Sequence, residues 1–128
     1  MFTYKPMTEW SIRKTKYLYH LTTRESIEAI KESGVLKGYH PTWTAHLMML
    51  LGAVDKRGAH QIYFFRTLKR TSGAFKQAEV CIRIPANNRV IRNLLATALH
   101  RKVDDAVVVE AAAIDLRAVQ CKVMESKD

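Results

Sequence analysis

The stretch Tyr17-Leu18-Tyr19-His20-Leu21-Thr22-Thr23-Arg24-Glu25-Ser26-Ile27-Glu28-Ala29-Ile30-Lys31-Glu32-Ser33-Gly34-Val35-Leu36 decides how this chain is read. Tyr17, Leu18 and Tyr19 suit a pleated surface and predict a strand over 17–20. Thr22 with Glu25 three residues on has the form of a capping box, which predicts a helix over 23–33. Ile27 and Ile30 share one face of that helix, and Glu25, Glu28, Lys31 and Glu32 make up its polar remainder. Gly34 supplies the left-handed residue that ends it. His20 therefore falls in a strand-to-helix junction, and two roles are open to it: a binding group, or a residue that only completes local hydrogen bonds.

Upstream, residues 1–16 read as a polar, basic lead-in that either wraps the domain or stays loose, and residues 17–128 as one folded domain. Downstream, Gly38-Tyr39-His40-Pro41 breaks the chain. Trp43, Leu47, Leu50, Leu51 and Val54 then recur at helical spacing. Ile62-Tyr63-Phe64-Phe65 predicts a strand, and Leu68 to Gln77 an exposed basic loop. From Ala78 to Ile84, Ala78, Val80, Ile82 and Ile84 alternate with Glu79, Cys81 and Arg83, a strand that Pro85 closes. Val90 to His100 reads as a helix, Ala106 to Glu110 as a central apolar strand, and Leu116 to Val123 as a strand pairing antiparallel with it. Early helices and late strands predict a single α+β domain with mixed or antiparallel sheets, rather than an alternating doubly wound one.

The 128 residues are 48% hydrophobic and 26% charged, the balance of a globular chain able to build its own core. No apolar leader follows Met1, and Leu47 to Leu51 is too short to span a bilayer, so a cytoplasmic protein without membrane association is expected. Cys81 and Cys121 make neither a disulfide framework nor a CxxC site, and His40, His46, His60 and His100 lack zinc-site spacing, so no metal is expected. No Gly-rich phosphate loop or nucleophile elbow occurs. Lys and Arg number 21 against 12 acidic residues, a net charge of +9. Such a domain is drawn to polyanions, which leaves open an acidic macromolecular partner, protein or nucleic acid, or simply a basic surface. The basic residues gather at Arg13-Lys14-Thr15-Lys16, from Arg66 to Lys76, and at Arg89, Arg92, Arg101 and Lys102. No recognisable nucleic-acid module accompanies them.

The order of elements, with Tyr19-His20-Leu21-Thr22, Ile62-Tyr63-Phe64-Phe65 and Val107-Val108-Val109-Glu110 on three predicted strands, resembles the ADP-ribosyltransferase fold. The branch it resembles is that of diphtheria toxin and the poly(ADP-ribose) polymerases, with its His-Tyr-Glu triad. The opening is similar to small bacterial and phage-type members with a "YHxT" strand and an "IxxIxxSG" helix. The resemblance spans most of residues 17–123 and is most specific over 17–36. It implies a mono-ADP-ribosyltransferase using NAD, with His20 gripping the ribose and Tyr63 stacking on nicotinamide. Glu110 would be the catalytic carboxylate that stabilises oxocarbenium character. Leu21 stands where the branch often carries glycine, and its backbone groups, with Thr22, are implied in holding the nicotinamide amide. Arg24 or Arg66 would pair with the pyrophosphate. Lys69, Arg70 and Lys76 would meet the acceptor. Glu79, Asp104, Asp105 and Asp115 compete with Glu110 for the carboxylate role. Two other classes remain: a non-enzymatic basic binding domain, and a small basic ribonuclease-type toxin.

Overall fold

The computed structural model describes residues 4–37, 61–68 and 78–125. In chain order they form β1 (Lys5–Pro6), α1 (Glu9–Lys14), β2 (Tyr17–Thr22), α2 (Arg24–Ser33), β3 (Val35–Lys37), β4 (Gln61–Phe65), β5 (Val80–Pro85), α3 (Arg89–Leu95), β6 (Leu99–Arg101), β7 (Ala106–Glu110), β8 (Ala113–Asp115) and β9 (Lys122–Glu125). Seven strands make one sheet in the order β1-β6-β7-β4-β2-β5-β9, and β3 with β8 makes a second. Every neighbouring pair is antiparallel. The described residues are an α+β domain, as the segregation of helices and strands predicts. The expected helix over Trp43 to Val54 lies outside the described residues, as does most of the basic loop.

The main sheet is covered unequally. Leu18, Ile62, Phe64, Val80, Ile82, Ile84, Val107 and Val109 form one buried face. Onto it pack Ile12 of α1, Ile27 and Ile30 of α2, Ile91 and Leu95 of α3, and Leu36 and Ile114 of the small sheet. Each large side chain fully removed from water here contributes on the order of 1.5–3 kcal/mol. The opposite face gathers Tyr4, Ala106 and Val108, with Tyr63, Phe65 and Leu99 packed against them. Alternation thus splits β4 between two cores: Ile62 and Phe64 go to one, Tyr63 and Phe65 to the other.

The helices begin where short polar side chains satisfy the first free amides. Thr8, Thr23 and Asn88 accept from the backbone N–H of Ser11, Ser26 and Ile91. The cap of α2 is therefore Thr23, not the expected Thr22. Thr22 is still paired with Val80, so the strand runs two residues beyond the expected 17–20 and passes the capping role on. Gly34 ends α2 at φ 72°, as its position predicts.

Two other expectations change. The helix expected over 90–100 stops at Leu95, and Leu99–Arg101 pairs with Ala106–Val108 instead. The expected strand over 116–123 gives way to β8, paired with β3, and β9, paired with β5. Neither can pair with β7, because both edges of β7 are already taken by β4 and β6. The lead-in also joins the domain: Lys5 and Pro6 pair with His100 and Leu99, and Tyr4 and Met7 are buried.

Candidate functional site

The main sheet has a weak seam. β2 shares six partnered residues with β5, and β4 shares five with β7, whereas β2 and β4 share the single pair Tyr19↔Phe65. Just beyond that pair, the His20 imidazole takes the place of a ladder bond: its Nδ1–H donates to the Tyr63 carbonyl at 2.8 Å. A carbonyl can only accept, so the neutral ring carries its proton on Nδ1 and leaves Nε2 as an acceptor. Burial holds His20 below its ordinary 6.5, against the opposing pull of the Tyr63 carbonyl. The ring also meets Phe64 edge-on, with centroids 5.6 Å apart. A neutral, oriented imidazole at a strand end is what the chemistry of gripping a hydroxyl calls for.

A cleft of about 780 Å³ opens beside it between the end of β2, α2 and β3. Its walls include His20, Leu21, Thr22, Thr23, Ser26 and Glu32. The volume lies within the range of small-molecule sites, and the lining mixes an apolar floor with a few hydroxyls. Three of the residues that the resemblance implicates in NAD binding, His20, Leu21 and Thr22, meet here.

Arg24 is beside the same strand end, but its guanidinium is engaged by Glu79 and Glu125, each at 3.3 Å. Glu79 adjoins Val80, the partner of Thr22, and has the left-handed φ of 75° that a glutamate rarely adopts. With Glu125, which pairs with Val80 from β9, it is one of two carboxylates that the strand pairing carries to this end of β2.

The other triad candidates are not brought to His20. Tyr63 gives His20 its carbonyl, while its ring turns to the opposite face of β4, among Tyr4, Ala106 and Val108. Its hydroxyl is buried, with its pKa raised by that burial, and has no hydrogen-bond partner among the described residues. Tyr4 Oη and Gln61 Oε1 are buried and unpartnered in the same sense. Glu110 lies opposite Gln61 at the exposed end of β7, on the Tyr63 face. The expected convergence of His20, Tyr63 and Glu110 on one cleft is not seen here, because strand parity puts Tyr63 and Glu110 on the other face of the sheet from His20.

Arg66 serves a different cluster. Its Nη2 lies 3.1 Å from Asp105 Oδ1, which also takes His100 Nε2 at 2.8 Å, while Thr67 donates to Asp105 Oδ2 at 3.1 Å. Burial pushes the Asp105 carboxyl up, but the His100 bond, the Arg66 charge and the Thr67 hydroxyl together hold it below its usual range. This cluster fastens the β6–β7 turn to the end of β4, where Arg66 N–H also donates to the Asp105 carbonyl. Reading Val90 to His100 as a helix hid the pair. A hairpin reading of Leu99 to Val109, turning through Lys102-Val103-Asp104-Asp105, is the signal that finds it. Lys69, Arg70 and Lys76 lie outside the described residues.

Among the described residues no group of three or more His, Cys, Asp or Glu side chains is arranged to hold a metal. No described helix is long and apolar enough to cross a membrane. No protein-family model, curated protein or solved structure matches the chain.

Proposed function

We propose that the protein is an NAD-dependent mono-ADP-ribosyltransferase whose cofactor enters the cleft beside His20. The observation that carries this reading is the neutral, oriented His20 at the parted β2–β4 seam, facing a capped helix across a cleft of ligand size. Nε2 of that ring is an acceptor suited to a ribose hydroxyl. The main-chain groups of Leu21 and the hydroxyls of Thr22, Thr23 and Ser26 supply the few polar contacts such a pocket needs. In the reaction, the bond between nicotinamide nitrogen and ribose C1′ breaks and the bond between C1′ and an acceptor nucleophile forms. Nicotinamide leaves with the bonding pair, and the acceptor gives up a proton.

Charge develops on the ribose in that step, and a nearby carboxylate stabilises it. Glu79 takes this role in the proposal, because it adjoins the partner of Thr22, whereas Glu110 is on the far face of β4. Arg24 is then the cation that orients Glu79, rather than a pyrophosphate ligand. The acceptor is an acidic macromolecule, in keeping with the net charge of +9.

Labelled NAD with a cell lysate tests the reading. Glu79→Gln is expected to slow transfer by roughly 10²–10³-fold with little change in NAD binding, and Glu110→Gln to leave both near the wild-type level. The reverse pattern would return the carboxylate role to Glu110. NAD binding that survives His20→Ala unchanged, or a wild-type protein that neither binds nor consumes NAD, would end the reading in favour of a non-enzymatic basic domain.

A further inference from the structure

A second cleft lies at the other end of β2, and its chemistry differs from that of the His20 cleft. It measures about 570 Å³ between the end of α1, the start of β2 and the β5–α3 connection. Arg13, Lys16 and Arg92 line it together with Tyr17, Asn87 and Asn88, and none of its lining residues is acidic. The walls are held in place by the main chain: Ala86 N–H donates to the Lys16 carbonyl at 2.9 Å. The buried Thr15 hydroxyl donates to the Ser11 carbonyl at 2.8 Å.

Tyr17 in the cleft wall, and Trp10 one helical turn before the lining residue Arg13 on α1, each carry a cation on one face. Lys14 Nζ lies 4.0 Å from the centroid of Trp10, and the Arg83 guanidinium 4.4 Å from that of Tyr17. Trp10 is 59% exposed, the largest apolar side chain the described residues leave in solvent. Arg13, Lys14, Lys16, Arg83 and Arg92 form no ion pair with a described carboxylate. Five cations around one corner, none of them ion-paired with a described carboxylate, create a field that draws an anion. The face of the exposed Trp10 ring that Lys14 does not cover goes unused by a plain salt contact.

We infer that this corner is a docking site for single-stranded nucleic acid, with phosphates along Arg13, Lys16 and Arg92 and an unstacked base on Trp10. A single strand fits this chemistry, since it presents both its phosphates and its base faces, whereas a duplex hides its base faces in the stack. An acidic peptide would satisfy the charge but leave the open face of Trp10 without a partner. The inference uses no residue of the His20 cleft and stands whether or not that cleft takes NAD.

Fluorescence anisotropy with a labelled 12-nucleotide oligothymidylate, titrated at several salt concentrations, tests it. The triple change Arg13→Gln, Lys16→Gln, Arg92→Gln is expected to weaken binding at least tenfold. It should also flatten the slope of log K against log salt by about 2, since each lost phosphate contact on a single strand removes roughly 0.7. Lys5→Gln, Lys31→Gln, Lys102→Gln removes the same charge from exposed positions away from this corner and should have little effect. Trp10→Ala should cost roughly 5- to 150-fold in affinity, the range for losing one base stack. Its melting temperature should match the wild type, because Trp10 is not part of the core. Equal weakening by the two triple variants would overturn the inference, reducing the cleft to part of a generally basic surface. So would polyglutamate competing as well as unlabelled oligonucleotide, which would assign the corner to an acidic protein, and so would an unmodified protein that fails to bind.

Discussion

Replacing His20 by phenylalanine isolates the one bond on which the candidate site depends. The variant keeps a flat ring against Phe64, where the two centroids are now 5.6 Å apart, and removes the Nδ1–H that reaches the Tyr63 carbonyl at 2.8 Å. A carbonyl left without its donor inside a protein costs about 1–3 kcal/mol, and the partial burial of this bond argues for the lower half of that range. At pH 7.5 the variant should therefore unfold at a urea midpoint lower by about 1 M, given slopes of ~1–3 kcal/mol/M for a domain of this size. The pH dependence makes the test sharper. Burial depresses the His20 pKa below 6.5, so the folded state binds its proton less readily than the unfolded chain does. The wild-type contribution is complete above pH 6.5 and is lost as pH falls below it towards the depressed folded value. Phenylalanine does not titrate, so the stability gap between the two proteins should narrow from pH 7.5 to pH 5, while the other histidines affect both alike. A gap that widens on acidification would mean that folded His20 prefers its charged form, and the neutral acceptor assigned to Nε2 would be refuted.

Gly34→Ala should cost about 1–2 kcal/mol in the same urea assay, because φ 72° strains any residue with a Cβ. The added atom would also lie 3.0 Å from Arg117 Cδ and Nε, a flexible side chain that can move aside, so a loss well above that range would point to a tighter site. Asp105→Asn keeps the size and tolerates the φ of 58°, but removes the charge that His100 and Arg66 share. It should cost roughly 1–3 kcal/mol at pH 7, and because the wild-type carboxyl is held below 3.8, the gap should persist through mild acid and shrink only below that pH. A gap that closes already near pH 6 would refute the depressed Asp105 carboxyl on which this prediction rests.

Much of the local structure was legible in the sequence because it rests on short-range rules. Gly34 ends α2 where a left-handed residue was required, and Pro85 ends β5 where a proline can. Adjacent threonines made the start of α2 ambiguous by one residue, since either hydroxyl can cap and only the Thr22↔Val80 pairing chooses between them. The fate of Leu99 and His100 was not legible from periodicity. Ile91, Leu94, Leu95 and Leu99 fit a helical stripe, yet the edge of β7 at Val107 and Val108 satisfies the backbone of β6 better than another helical turn does. Long-range pairing of that kind leaves no trace in a local window.

The triad illustrates the harder limit. Pattern reading put His20, Tyr63 and Glu110 on strands correctly, but whether two strand residues share a face depends on the parity of the register between their strands. That parity is set here by one pair, Tyr19↔Phe65, which carries His20 to the side of Phe64 and leaves Tyr63 on the other. A slip of one residue between β2 and β4 would bring His20 and Tyr63 to one face, and Glu110 with them, since Gln61↔Glu110 and Tyr63↔Val108 are fixed by the longer β4–β7 ladder. Nothing in the composition of β4 forbids the slip: Ile62 and Phe64 are as apolar as Tyr63 and Phe65, so either face of the strand can be buried. What opposes it is the His20 bond to the Tyr63 carbonyl together with the six-residue pairing of β2 and β5, which fixes His20 opposite Ile82 in the principal core. The residue that most suggested a cofactor site is thus also the one that holds the register in which Tyr63 turns away from it.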